Sequence, residues 1–191
     1  MKAVEPISIV FSALLTVLVV GCSSNTPTPE TLSTEECAVY SYLIRNMYES
    51  ELTVIQEETQ SYSFTDGTIE SISNSLPGIE QETLNEFRQR NENKHTLTRC
   101  FDLSGSYLFV SEREIEDIFE GLHGWDDFYK RYPGSQGIMV LSMVGFNNEK
   151  NQAIVSVGNQ SNWLAGEGYY VFLVKEDGKW SIKGQLLEWV S

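Results

Sequence analysis

The residues with catalytic or ligating potential are few and poorly spaced for it. His95 and His123 are the two histidines of the chain, whereas a metal site needs several N, S or O donors converging on one point. His123 lies in a glycine-rich stretch next to Asp126 and Asp127, so a base or ligand is one reading of it. The plainer reading is a histidine at a helix end, with the two aspartates favouring the positive N-terminus of the next helix. His95, Asp102, Ser104 and Ser106 offer the residue types of a nucleophilic triad without a spacing that supports one. With 27 acidic residues in the chain, pairs such as Glu114 and Asp117 arise by chance. Acid–base work needs a buried carboxyl with a shifted pKa. No G-x-S-x-G elbow, Walker loop, H-E-x-x-H or C-x-x-C is present. The sequence therefore leads to an expectation of no catalytic residue, no metal and no cofactor.

Aromatic residues are more suggestive. Trp125, Tyr129, Tyr132, Trp163 and Tyr169 have the chemistry to line a pocket between helices and sheet, or to mark a partner surface. Filling a core between those layers is the commoner use of such rings. Trp163 stands apart because its surroundings are polar, where core filling explains a tryptophan less readily. Trp163, Trp125 and Tyr129 are the candidate binding residues.

The balance of 13 basic and 27 acidic residues leaves a net charge of −14. That argues against nucleic acid as a partner, since phosphate binding rests on Lys and Arg, and against electrostatic docking on anionic lipid. A chain of 191 residues, 41% hydrophobic and 12% aromatic, has room for one domain with a proper core. Residues 7–20 form an apolar run behind Lys2, too short to span a bilayer comfortably, so residues 1–21 read as a signal peptide. The run ends in Val19-Val20-Gly21-Cys22, which resembles the lipobox of bacterial lipoproteins. This resemblance implies cleavage before Cys22, diacylation of its thiol, and attachment to the cell envelope through lipid. Ser23 resembles the outer-membrane sorting choice, facing the periplasm in a Gram-negative host. Residues 22–33, with Pro27 and Pro29, read as anchor and flexible tether. With Cys22 lipidated, Cys37 and Cys100 remain, and an even remainder in an exported protein suggests a disulfide. Such a bridge closes a loop of about 60 residues and contributes ~4 kcal/mol in the chain-entropy account. Two separately buried thiols are the alternative.

Residues 34–191 read as a single α+β domain. Ser33 and Glu36 form a capping box ahead of an amphipathic helix. Further helices are expected over residues 80–93 and after Ser111, with short strands at 52–56 and 107–110. Residues 59–75 read as a long polar loop. Residues 137–191 carry four apolar segments, near 138–146, 152–158, 169–175 and 180–189, and the pair Asp177-Gly178 is a strong hairpin signal. A two-residue turn there sets Lys175 opposite Trp180, Leu173 opposite Ile182 and Val171 opposite Gly184. It also puts Val171, Leu173 and Ile182 on one face, with Tyr170, Phe172 and Val174 on the other. Residues 159–166 read as a longer loop carrying Trp163, and Gly166-Glu167-Gly168 as a turn signal. The expected architecture is N-terminal helices on one face of a C-terminal four-stranded antiparallel meander, compatible with an NTF2-like or cystatin-like domain.

The phrases ETLNEFRQRN, GWDDFYKRYPGSQGI, VGFNNEKNQAIVSVGNQ and GEGYYVFLVKEDGKW, with the terminal WVS, resemble a family of bacterial exported proteins without an assigned activity. The resemblance implies a shared domain and carries over no catalytic residues. The sequence thus reads as a cell-envelope lipoprotein with a non-catalytic domain that binds an unidentified protein or small molecule. An envelope hydrolase or isomerase on an NTF2-like scaffold is the alternative, and a structural or assembly role a third reading.

Overall fold

Three of the five helices among the described residues begin where a side chain satisfies a free backbone donor. In the computed structural model, which describes residues 31–121 and 123–191, the Ser33 hydroxyl accepts from the Glu36 N–H and the Glu36 carboxylate accepts from the Ser33 N–H. Helix α1 (Thr34–Met47) follows this capping box. The signal peptide, Cys22 and most of the tether lie outside the described residues. Strand β1 (Leu52–Gln56) comes next. The stretch expected to be a long loop then contains a helix, α2 (Asp66–Ser75), whose N-cap Thr65 accepts from the Thr68 N–H. Its polarity hides it in the sequence. Buried Ile69, Ile72 and Leu76 are enough to hold it once a sheet covers them, because most helical stability comes from tertiary contact of one apolar face. Helix α3 (Gln81–Arg90) and strand β2 (Ser106–Val110) follow. Helix α4 (Glu112–Phe119), capped by Ser111, and helix α5 (Gly124–Arg131) then lead into the C-terminal strands.

Those strands are β3 (Ser135–Leu141), β4 (Gly145–Phe146), β5 (Gln152–Asn162), β6 (Ala165–Glu176) and β7 (Lys179–Val190). Among the described residues the sheet has seven strands, in the order β2-β1-β3-β5-β6-β7, with β4 also paired to β5. β1 runs parallel to both β2 and β3, and the remaining pairs are antiparallel. The fold is α+β, but the meander is only the C-terminal part of a mixed sheet, and the helices alternate with β1 and β2. Parallel neighbours cannot be joined by a hairpin. The α2–α3 pair carries the chain from β1 to β2, and α4–α5 carries it from β2 to β3.

Helices cover both faces of the sheet, which corrects the one-faced expectation. On the first face, Val39, Tyr40, Leu43 and Ile44 of α1 are buried in one cluster with Val155, Val157, Val171 and Leu173. On the second face, α2–α3 lie over Ile154, Tyr170 and Phe172, while α4–α5 lie over Val54, Val110 and Ile138. The face assignments of Val171, Leu173 and Ile182 against Tyr170, Phe172 and Val174 are as expected.

Asp177 and Gly178 have φ of 49° and 76°, the two positive angles of a type I′ turn. Lys175 pairs with Trp180 and Leu173 with Ile182, but Gly184 lies opposite Phe172 rather than Val171. A bulge adds one residue on β7 at Lys183, between Ile182 and Gly184.

Cys37 and Cys100 form a disulfide across a separation of 63 residues, tying α1 to the segment before β2. Between β3 and β4 the ladder breaks, and the fully buried Asn91 side chain takes the place of a strand. Its Oδ1 accepts from the Met143 N–H at 2.8 Å, and its Nδ2 donates to the Met143 and Phe87 carbonyls.

Tyr48 is buried with a hydroxyl that finds no hydrogen-bond partner among the described residues. Burial, and next the Glu167 carboxylate, push its phenol up from 10.0 to about 12. A phenol held protonated in the fold but free to ionise on unfolding stabilises fully below pH 10, and that stability is lost as pH rises to about 12. In Tyr48→Phe, denaturant titration should show equal or higher stability at neutral pH, by about 1 kcal/mol. The fall in stability between pH 10 and 12 should be shallower, and an unchanged fall would remove Tyr48 from that limb.

Candidate binding groove

The two crossover pairs leave part of the second sheet face uncovered between them. A groove of about 330 Å³ opens there, at the lower end of the range for small-ligand sites. Gln56 of β1, Ile138 and Val140 of β3, and Gln160 of β5 form its floor. Ile115 and Phe119 of α4 and Trp125 of α5 form one wall. Trp163, Trp189 and Gln60 complete the lining.

Trp189 reaches the groove through a local irregularity. Gly168 pairs with Trp189 and Tyr169 with Leu187, so Glu188 is the extra residue of a second bulge in β7. A bulge re-aims side chains. Here Glu188 meets Ser156 and Tyr170, while the adjacent indole lies over Gly158 and Gly168, all on the second face. A Cβ on Gly158 would meet the Trp189 ring at 2.6 Å, and one on Gly168 at 2.1 Å. These glycines supply room for the ring. Gly166-Glu167-Gly168, expected as a turn, is therefore part of β6.

Trp163 also departs from the long-loop expectation. β5 runs to Asn162 and β6 begins at Ala165, so Trp163 and Leu164 form the tip of a tight hairpin. The Phe119 ring stands edge-on to both Trp125 and Trp163, with centroids at 4.9 and 5.6 Å. The Tyr129 ring lies tilted beside Trp125, with centroids 5.9 Å apart, and its hydroxyl donates to the Ser161 carbonyl at 2.8 Å. The three residues singled out from the sequence thus meet at one place: Trp125 and Trp163 line the groove, and Tyr129 fastens the hairpin that carries Trp163. Tyr132 and Tyr169 do not join them. Tyr132 donates to Glu114, and Tyr169, on the opposite face, donates to Glu167.

The polar part of the lining is carboxamide, and sequence reasoning missed it. Gln56 and Gln160 make no side-chain hydrogen bond among the described residues, and Gln60 is engaged only at Oε1, by the Tyr62 hydroxyl at 2.7 Å. Elsewhere Asn91, Asn147 and Gln152 spend their amides on backbone or side-chain partners. Trp125 is 6% exposed, and its Nε1–H is buried without an acceptor among the described residues. Among the described residues no ionisable group lines the groove. Behind Gln60, the Tyr62 hydroxyl lies 3.0 Å from Ser156 Oγ, and Ser156 and Tyr170 both donate to Glu188. Burial, and next the Glu188 carboxylate, push the Tyr62 and Tyr170 phenols up, so both are hydrogen-bond donors at any working pH.

The remaining candidates do not gather into a site. His123 is exposed at the N-terminus of α5 and makes no side-chain cap, and His95 Nε2 meets the Arg90 carbonyl. Among the described residues no cluster of three His, Cys, Asp or Glu is placed to hold a metal. A larger but shallower depression beside the disulfide is lined by the Arg45–Asp102 ion pair and by Lys179. No family model, curated protein or solved structure matches the chain.

Tyr129→Phe removes the tie between α5 and the hairpin. One buried hydrogen bond at about 1 kcal/mol corresponds to roughly fivefold faster amide exchange over residues 159–165, with the rest of the sheet unaffected. Unchanged exchange there would mean that the ring contacts of Trp163 hold the hairpin alone.

Proposed function

We propose that this chain is an exported, lipid-anchored binding module of the cell envelope, and that it holds a small neutral ligand in the groove between α4–α5 and the sheet. One observation carries the binding half. Two free carboxamides and a third half-free line a cleft otherwise walled by aromatic and aliphatic side chains. A ligand whose groups both donate and accept would pair these amides while its apolar part covers the rings. The envelope half rests on the Val19-Val20-Gly21-Cys22 segment, and the Cys37–Cys100 bridge supports it, since disulfides persist in oxidising compartments.

A hydrolase or isomerase on an NTF2-like scaffold has less support. Neither histidine lines the groove, and both Glu188 oxygens are occupied by hydroxyl donors.

Two measurements test the halves separately. Cys22→Ala should abolish fatty-acid labelling and release the protein from membranes, and undiminished labelling would overturn the anchor. Native mass spectrometry of the protein recovered from its own host's envelope should show a reproducible extra mass that Trp163→Ala loses. A bare mass for the parent protein would overturn an occupied groove and direct attention to a protein partner of the Trp163-Leu164 tip.

A further inference from the structure

Building on that reading, we infer that the groove takes a neutral saccharide unit, its apolar ring face stacked on indole and its hydroxyls held by Gln56, Gln60 and Gln160. Three properties of the lining narrow the ligand to this class.

The first is charge. The chain carries −14, yet the described residues that line the groove include no acid to attract a cation and no base to hold an anion. An anionic ligand would meet a repulsive field with no local counter-charge, and a nucleotide would leave its phosphates unpaired.

The second is hydrogen-bond type. A carboxamide both donates and accepts, and hydroxyl groups do the same, so each free amide of Gln56 and Gln160 can meet neighbouring sugar hydroxyls at both ends. The free nitrogen of Gln60 adds a donor for a hydroxyl or ring oxygen. A purely apolar occupant such as an acyl chain would bury these groups without partners.

The third is shape. Three of the chain's four tryptophans line the groove. The Trp189 ring packs over Gly158 and Gly168 and lines the groove. An aromatic face is negative and C–H groups are weakly positive, so the C–H face of a sugar ring suits it. An extended peptide binds best by adding to a free strand edge. Here the floor is a sheet face whose strands β1, β3 and β5 are each paired on both sides. The volume of about 330 Å³ fits one or two sugar rings, so a longer glycan would be gripped at one unit.

The test is a glycan microarray carrying neutral and acidic saccharides, probed with the protein bearing a fluorescent label. It is followed by titration of the best neutral disaccharide against intrinsic tryptophan emission, with lauric acid as an apolar control. Retention of neutral glycans, with saturable change in emission, is the expected result. Gln160 is exposed, so Gln160→Ala should keep the parent melting temperature while weakening binding about tenfold, the equivalent of one lost hydrogen bond to a ligand at about 1.4 kcal/mol. Retention of acidic glycans alone, a response to lauric acid alone, or no glycan bound would each overturn the saccharide assignment. The two readings fail differently. A non-carbohydrate extra mass in native spectra would remove the saccharide and keep the binding module, whereas a bare mass together with an empty array would remove both.

Discussion

The break between β3 and β4 is the constraint on which the molecule turns. A sheet covered on both faces has no water to satisfy an interrupted ladder, so every group at the break must find a protein partner. Asn91 supplies both a donor and an acceptor to Met143, and Arg90 donates to the Val144 carbonyl. Tyr40 of α1 donates to the Ser142 carbonyl from the other face. Arg90 also pairs with the buried Glu36 at 2.8 Å. The residue that closes the α1 capping box is therefore the one that joins α1 to the end of α3. Removing either charge strands its partner, a change of about 3–5 kcal/mol in comparable buried pairs. The two helical layers are joined through this point.

How far the sequence discloses this depends on the range of each interaction. The Asp177-Gly178 hairpin, its two-faced strands and the Ser33 capping box were legible because each is decided within a few residues. The parallel pairing of β1 with β2 and β3 was not. It joins residues some 50 to 80 positions apart, by strands too short to announce their partners. α2 escaped because its apolar residues are sparse and its stability comes from the sheet beneath it. The glycines at 166 and 168 were misread for a physical reason. Glycine gives the same signal whether a backbone needs positive φ or a neighbour needs space, and here the need is space.

The site was legible in the same partial way. Trp163 stood out because it is apolar in polar surroundings, and Trp125 and Tyr129 because their rings suit a pocket wall or a partner surface. The glutamines carry no such mark. What distinguishes Gln56 and Gln160 from Gln152 is the absence of a partner, which exists only once the chain is folded. The groove itself follows from topology. Two parallel connections demand two crossovers, both lie on the same face, and they sit over different parts of the sheet, leaving a strip of floor between them.

The fit of the Trp189 ring onto Gly158 and Gly168 also bears on how this chain can vary. Those two glycines adopt ordinary extended backbone, and in isolation either would tolerate many side chains. Beneath the indole, neither position can gain a single carbon without displacing the ring, and a smaller residue at 189 would uncover both. The three positions therefore form one heritable unit spread over three strands. Substitutions within it pass without penalty only in combination, so the groove floor resists gradual drift more firmly than its exposed rim.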